Sequence, residues 1–294
     1  MTADLAPQRN IIWQVGRGRS LELGNRGHIM AIVNVTPDSF SDGGRYVDCA
    51  QAVGHAMSCV QAGAAIIDVG GESTRPGAVE ITATEEQDRV LPVIEQLARQ
   101  TDALISVDTY RADTARLALE AGAHIVNDVH GLQREPELAR VAAEAGAGLC
   151  IMHTGRGREA SRAPDVIADQ VTFFEESLRV AEAACVSKDT IILDPGFGFA
   201  KDAGHDLRLM ARFHELRSLG FPWLVGTSRK RFIGRITGRD LAADRDLGTA
   251  ATTVILRLAG AAIFRVHNVA ANREALDMAD AVLAATTPSD GEDW

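Results

Sequence analysis

Residues 28–44 read HIMAIVNVTPDSFSDGG. An apolar run closes on Asn34 and gives way at once to a loop of Thr, Pro, Asp, Ser and Gly, as expected of a buried strand that delivers a polar residue to a loop. The same order recurs in AAIIDVGGEST, closing near Asp68 to Thr74, in ALISVD at Asp108, in AHIVND at Asn127 and Asp128, and in AGLCIMH at His153. It returns in TIILDPG at Asp194, in FPWLVGTSRK at Ser228 to Lys230, and in AAIFRVH at Arg265 and His267. The intervals between these eight runs suit one strand plus one helix. They predict an α/β chain folded as a (β/α)8 barrel of the TIM type, in which groups at the C-terminal ends of the strands converge on one site.

Between the runs, apolar residues at three- and four-residue spacing predict helices over 50–61, 83–99, 112–120, 136–144, 166–184, 207–219, 245–258 and 272–284. Gly63, Gly122, Gly146, Gly220 and Gly260 precede the strands that follow, where a helix C-cap takes a left-handed residue. Ahead of the first barrel strand, IIWQVGRGRSLELG (residues 11–24) alternates around Gly-Arg-Gly and predicts a β-hairpin, most simply a plug for the N-terminal mouth. The barrel is expected over about 28–284 as one domain spanning 1–294, with a short polar, acidic tail.

Composition narrows the function. The chain of 294 residues is 46% hydrophobic, enough for a large core, and its apolar runs are too short to span a bilayer. With no basic stretch followed by an apolar one at the N-terminus, a soluble, cytoplasmic protein without membrane partner is expected. A net charge of −10 disfavours nucleic acid, so any anionic ligand must meet its cations locally. Cys49, Cys59, Cys150 and Cys185 are scattered, which points to buried reduced thiols.

The loops after the strands carry the chemistry. NVTPDSFSDGG (34–44) and GGESTRPGA (70–78) are rich in hydroxyls and glycine, and the second holds Arg75. GTSRKRFIG (226–234) sets Ser228, Arg229, Lys230 and Arg231 together after the seventh strand, a common anion position in these barrels, though a solvated basic turn is the plain alternative.

Taken with IIDVGGESTRPGA, SVDTYRA, NDVHG, LDPGFGFAKD and FRVHNV, these loops resemble the dihydropteroate synthases of the folate pathway, in family order over most of the chain. The resemblance implies condensation of 6-hydroxymethyl-7,8-dihydropterin diphosphate with 4-aminobenzoate, giving 7,8-dihydropteroate and pyrophosphate, with Mg²⁺ on the diphosphate. It also implies a homodimer. By the same resemblance Asp108, Asn127, Asp194 and Lys230 are the pterin contacts, and buried carboxylates and amides on rigid strands suit a flat edge of ring donors and acceptors. The alternative for Asp108 or Asp194 is a cap on the following helix.

The diphosphate is assigned to Asn34, Thr74, Arg75, Arg265 and His267, with Asn34 supplying a hard oxygen for the metal. An isolated His267 would more often be a core residue, but Arg265 two positions earlier on the same face makes it an anion ligand. The resemblance further implies dissociative C–O cleavage, with Asp38, in TPDSF, beside the pterin cation it leaves. Arg75, Lys230, Arg265 and His267 complete the expected catalytic set. For 4-aminobenzoate the resemblance implies Phe40, Thr74, Pro76, Ser228 and Lys230, with Phe40 alternatively a hydrophobic anchor for its loop.

Departures from the family pattern are few. MHTGRG replaces the more usual MHMQG, Asp202 stands where Thr is common, and Asn268 where Asp is common. Two other barrels compete: a pterin-binding methyltransferase, which has no need of the TPDSFSDGG, STRPG and SRK set, and a non-catalytic pterin binder, which has no use for a diphosphate site.

Overall fold

The computed structural model of the chain describes residues 10–36, 45–73, 78–157 and 163–286. A hairpin of β1 (Ile11–Val15) and β2 (Arg19–Leu23) comes first. The barrel strands are β3 (His28–Asn34), β4 (Ile66–Gly70), β5 (Leu104–Asp108), β6 (Ile125–Asp128), β7 (Gly148–Met152), β8 (Ile191–Asp194), β9 (Leu224–Val225) and β10 (Ile263–Val266). They pair in parallel in the order β8-β7-β6-β5-β4-β3-β10-β9, and a parallel bridge from Leu193 to Trp223 joins β8 to the β9 edge. The helices are α1 (Arg45–Gln61), α2 (Ala83–Gln100), α3 (Ala112–Ala121), α4 (Glu137–Ala145), α5 (Val166–Ala183), α6 (Ala203–Ala211), α7 (Arg231–Thr237), α8 (Asp246–Leu258) and α9 (Val269–Ala285).

Strand residues divide by parity, as a two-residue period requires. Ile29, Ala31, Ile67, Val69, Ile105, Val107, Leu149 and Leu193 face outward into a core shared with the helices. Met30, Ile66, Leu104, Ile125, Ile192, Leu224 and Ile263 face inward and form a dry lower layer. That layer is sealed from below by Trp13, Val15 and Leu23 of the hairpin. The expected plug is therefore present. Trp13 is fully buried and its indole Nε1 donates to Thr190 O at 2.7 Å. Gly148 makes room for the plug: a Cβ there would lie 2.7 Å from Val15 and 3.0 Å from the Trp13 ring. The turn between the strands puts Arg17 and Gly18 at φ 64° and 69°, and Gly16 N donates to His124 O at 2.8 Å.

Local chemistry sets the helix ends. Thr82 and Glu85 form a capping box on α2, with Thr82 Oγ1 accepting from Glu85 N at 3.2 Å and Glu85 Oε2 accepting from Thr82 N at 2.8 Å. Gly63, Gly122, Gly146, Gly220 and Gly260 all have positive φ, as their position before a strand predicted.

Several boundaries differ from expectation. α1 begins at Arg45 and α9 at Val269, each earlier than its apolar spacing indicated. For α9 the reason is Asn268, whose side chain accepts from Ala271 N. The single helix expected over 207–219 is α6 followed by a 3-10 segment, Phe213–Leu219, because Asp202 caps the start by accepting from His205 N at 2.8 Å. Residues Arg231–Thr237, read above as loop, form α7. Its internal glycine disguised it; a Cβ on Gly234 would meet Arg239 O at 2.4 Å, so that residue serves packing. Cys49, Cys59 and Cys150 are buried free thiols, but Cys185 is exposed. Beyond residue 286 the expected acidic tail lies outside the described residues.

Because Trp13 closes the barrel and fills space beside a glycine, Trp13→Ala is expected to cost about 3–5 kcal/mol of unfolding free energy. Denaturant titration of the two proteins measures it, and a loss within error of zero removes the hairpin from the core.

Candidate active site

One step above the dry layer, the inward positions turn polar. Asp68 on β4, Asp108 on β5, Asn127 on β6, Asp194 on β8 and Arg265 on β10 point into the upper half of the barrel. The centre of the group is Arg265, whose Nε donates to Asp68 Oδ2 and whose Nη2 donates to Asp108 Oδ2, each at 2.6 Å. Asn127 Nδ2 donates to the same Asp68 Oδ2 at 3.1 Å. Across the barrel, Asp194 Oδ1 accepts from Gly196 N at 2.8 Å. Gly226 opens the wall between them: a Cβ there would stand 3.8 Å from Arg265 Cβ and 3.9 Å from Asp194 Oδ2.

Asn34 ends β3 opposite Gly70 in register. A Cβ on Gly70 would lie 3.7 Å from both Asn34 Oδ1 and Asp108 Oδ2, so the missing side chain leaves these two oxygens facing a common space. Lys230, capping α7, sets its ammonium 4.2 Å above the Phe199 ring. Ser228 Oγ accepts from His267 N at 3.1 Å and shares a hydrogen bond with His267 Nδ1 at 2.9 Å, tying the SRK turn to the end of β10.

Burial governs the protonation of these groups. Desolvation pushes Asp108 up to about 7; Arg265 opposes it, while Asp68, Glu86 and Asp128 add to it. Asp194 is pushed up to about 6 by burial against the Gly196 amide, Lys230, Arg265 and Lys201. Burial, with Arg265 and Arg156, lowers Lys230 to about 8 despite Asp194 and Asp206. For Arg265, burial alone would depress the guanidinium, but Asp68 and Asp108 outweigh it and hold it above its ordinary value.

The structure thus brings Asn34, Asp108, Asn127, Asp194, Ser228, Lys230, Arg265 and His267 to one end of the barrel. Asp38, Phe40, Thr74, Arg75 and Pro76 lie outside the described residues. Asp108 is no helix cap, whereas Asp128 is held by the backbone: it accepts from His130 N at 2.8 Å and Leu132 N at 2.6 Å. The basic cluster 228–231 divides. Arg229 spends its guanidinium on Asp246 at 2.7 and 2.9 Å, and Arg231 is exposed at the start of α7, which leaves Lys230 as the cation turned inward. Asp202 and Asn268, where the chain departs from the family pattern, are both helix caps, and Asn268 Nδ2 also donates to Asp246 at 2.9 Å.

Two residues of the site escaped the sequence reading. Asp68 passed as the polar end of a strand run, and only its parity with Asp108 and Asn127 could have found it. Phe199 sits in GFGF, where Gly196 and Gly198 have φ of 63° and 76°; a Cβ on Gly196 would fall 1.9 Å from His153 O. That turn brings Phe199 beneath Lys230.

Such a barrel, with paired acids, an amide and two cations at its C-terminal end, defines an enzyme that grips a flat heterocycle and an anion together. The pterin binding enzyme family matches residues 30–267. The dihydropteroate synthase of Escherichia coli K12 is 44% identical over 273 residues, covering 92% of this chain and 96% of that protein. Among solved structures, that of Clostridium difficile dihydropteroate synthase in the presence of pteroic acid has a TM-score of 0.86 at 44% identity, covering 89% of this chain and 98% of that one. The Xanthomonas albilineans dihydropteroate synthase with 4-aminobenzoic acid has a TM-score of 0.88 at 41% identity, covering 94% and 99%. The chain belongs to the pterin binding enzyme family and, within it, to the dihydropteroate synthases.

A carboxyl with a raised folded-state pKa favours the folded chain while it is protonated, and that contribution is lost as pH rises from the unfolded value of about 4 through about 7. In the absence of ligand, unfolding free energy is expected to fall between about pH 5 and about pH 8, with Asp108 accounting for something on the order of 1–3 kcal/mol of the fall. Asp108→Asn should flatten that dependence. Urea unfolding of both proteins at the two pH values is the check, and equal slopes would show that Asp108 titrates normally.

Proposed function

We propose that this barrel condenses 6-hydroxymethyl-7,8-dihydropterin diphosphate with 4-aminobenzoate, releasing 7,8-dihydropteroate and pyrophosphate, as a transferase of folate biosynthesis. The observation that carries this reading is the constellation of Asp108, Asn127, Asp194, Lys230 and Arg265 at one barrel mouth. A reduced pterin presents ring N–H groups, an amine and a carbonyl along one edge. The carboxylates of Asp108 and Asp194 accept from such donors, and Lys230 serves the carbonyl side.

The diphosphate belongs beside Arg265 and His267, and the family resemblance assigns Thr74 and Arg75 to the same anion. Arg265 has spent Nε and Nη2 on carboxylates, and its Nη1 makes no hydrogen bond among the described residues, so one edge of the guanidinium remains for a phosphate oxygen. As C–O cleavage leaves charge on the departing pyrophosphate, these cations stabilise it, and the family resemblance assigns Asp38 to stabilising the pterin cation. The ring amine of 4-aminobenzoate captures that cation without a covalent enzyme intermediate. Its ring is placed against Phe40 and Pro76, and its carboxylate near Thr74, Ser228 and Lys230.

Asn34 fits a role toward Mg²⁺. Its Oδ1 is a hard oxygen open to the space left by Gly70, and the described residues hold no cluster of three His, Cys, Asp or Glu ligands. Such a site suits a metal that takes most of its ligands from the diphosphate and water. When bound, Mg²⁺ neutralises diphosphate charge.

A cytoplasmic homodimer fits the surface as well. No helix among the described residues is long and apolar enough to cross a membrane. Leu247 and Ile255 on α8, and Met278 and Val282 on the adjoining α9, are exposed, Leu247 by 85% and Met278 by 67%. Exposed apolar side chains on two packed helices suit a self-complementary face. Sedimentation of the purified chain is expected to give a dimer, and Leu247→Glu with Met278→Glu a monomer; a monomeric unmodified chain would sink this assignment.

The activity is tested by pyrophosphate release in the presence of the pterin diphosphate, 4-aminobenzoate and Mg²⁺. Release should need both organic substrates, and Asp108→Asn or Asp194→Asn should weaken pterin binding by roughly 1–3 kcal/mol with the fold intact. No release from the unmodified protein refutes the function, and full pterin affinity in both folded variants refutes the assigned contacts.

A further inference from the structure

Asp68 lies fully buried in the barrel, on β4. One of its oxygens carries the whole of its hydrogen bonding: Oδ2 takes Arg265 Nε at 2.6 Å and Asn127 Nδ2 at 3.1 Å. Oδ1 is buried and makes no hydrogen bond with the described residues. A carboxylate only accepts, so the Asn127 atom facing Asp68 has to be the amide nitrogen. The amide is thereby held in one sense, with Nδ2 turned to Asp68 and the Oδ1 acceptor left to the ligand.

The same oxygen determines where Arg265 stands. Held at Nε by Asp68 and at Nη2 by Asp108, the guanidinium cannot swing about its long side chain, and only its remaining edge is presented upward. Asp68 is itself placed by the sheet, since its strand neighbours in register are Ile32 on β3 and Ser106 on β5.

We propose that Asp68 is the positioning residue of the site, fixing Arg265 for the diphosphate and setting Asn127 as an acceptor for a ring N–H of the reduced pterin. The inference rests on the reading of Asn127 and Arg265 as ligand contacts. It adds that their orientation is imposed by a buried residue to which no ligand contact is assigned. The hydrogen-bond polarity required of the ligand at Asn127 follows: a donor is accepted there, and a ring atom that only accepts is refused.

A residue swap tests this. Asn127→Asp alone places two carboxylates in contact, whereas Asp68→Asn with Asn127→Asp restores one amide donor to one carboxylate while still offering the pterin an acceptor at position 127. Calorimetric binding of 6-hydroxymethyl-7,8-dihydropterin diphosphate to the full-length protein is the readout. Each single variant is expected to lose about 10-fold or more in affinity, and the swap to recover most of the Asn127→Asp loss. KM for 4-aminobenzoate should stay near that of the unmodified enzyme, since the hydrogen bonds of Asp68 go to Arg265 and Asn127, neither of them assigned to that substrate.

A swap no better than Asn127→Asp overturns the proposal, as does full affinity in Asp68→Asn. Failure of the near-isosteric Asp68→Asn to fold would also overturn it, by making Asp68 a requirement of the barrel. If the unmodified protein does not bind the pterin diphosphate, the functional assignment itself fails. Binding by the unmodified protein with no rescue by the swap rejects only the role of Asp68.

Discussion

The polar groups that β4, β5, β6 and β10 send into the barrel depend on one ion cluster, in which Arg265 is shared between Asp68 and Asp108. Inside a protein an uncompensated charge is costly, and truncating one partner of a buried pair is far more damaging than the pair is stabilising. A barrel interior can hold the cluster only if water is kept from below while a ligand can approach from above. The first condition is met by the hairpin, with Trp13, Val15 and Leu23 packed under an apolar layer. The second is met by glycines: Gly70 and Gly226 leave the walls beside Asp108 and Asp194 without side chains.

The same burial that makes the cluster expensive sets its chemistry. Asp108 near 7, Asp194 near 6 and Lys230 near 8 all lie close to neutrality, although an exposed carboxyl and an exposed ammonium differ by more than six units. Desolvation draws acids and base toward one another by penalising every charged form. A site in that condition adjusts its protonation to the ligand at small cost. Hydrogen-bond donors on a pterin favour the ionised carboxylates, and an arriving diphosphate favours the charged lysine.

The fold was legible because alternation and apolar runs belong to the strands themselves. The helices were less so where a local signal conflicted with periodicity. Gly234 hid α7, although it is required there for close approach to Arg239, and Asp202 and Asn268 lengthened their helices by capping them ahead of the apolar stripe. In the site, the residues carried by loop motifs stood out, while Asp68 did not. An Asp in the middle of an apolar strand has no neighbour in sequence to reveal its partners; Arg265 and Asn127 reach it only after the barrel closes. Arg229 shows the converse, a charge inside a suggestive motif whose bidentate partner, Asp246, arrives from another helix.

Arg229 and Lys230 also show why adjacent charges need not share a role. Arg229 takes φ of 56°, a conformation disfavoured for a side-chain-bearing residue, and it is held there by Asp246 and by its own N–H donating to Thr249 Oγ1 at 3.0 Å. That turn reverses the chain so that Lys230 points inward over Phe199 and begins α7, while Ser228 on the other side reaches His267. One strained residue, anchored away from the pocket, therefore aims its two neighbours into it. The cation that the sequence placed in the anion site acts as the bracket for that site. The helix carrying Asp246 and Thr249 thus sets the direction of Ser228 and Lys230 through backbone geometry.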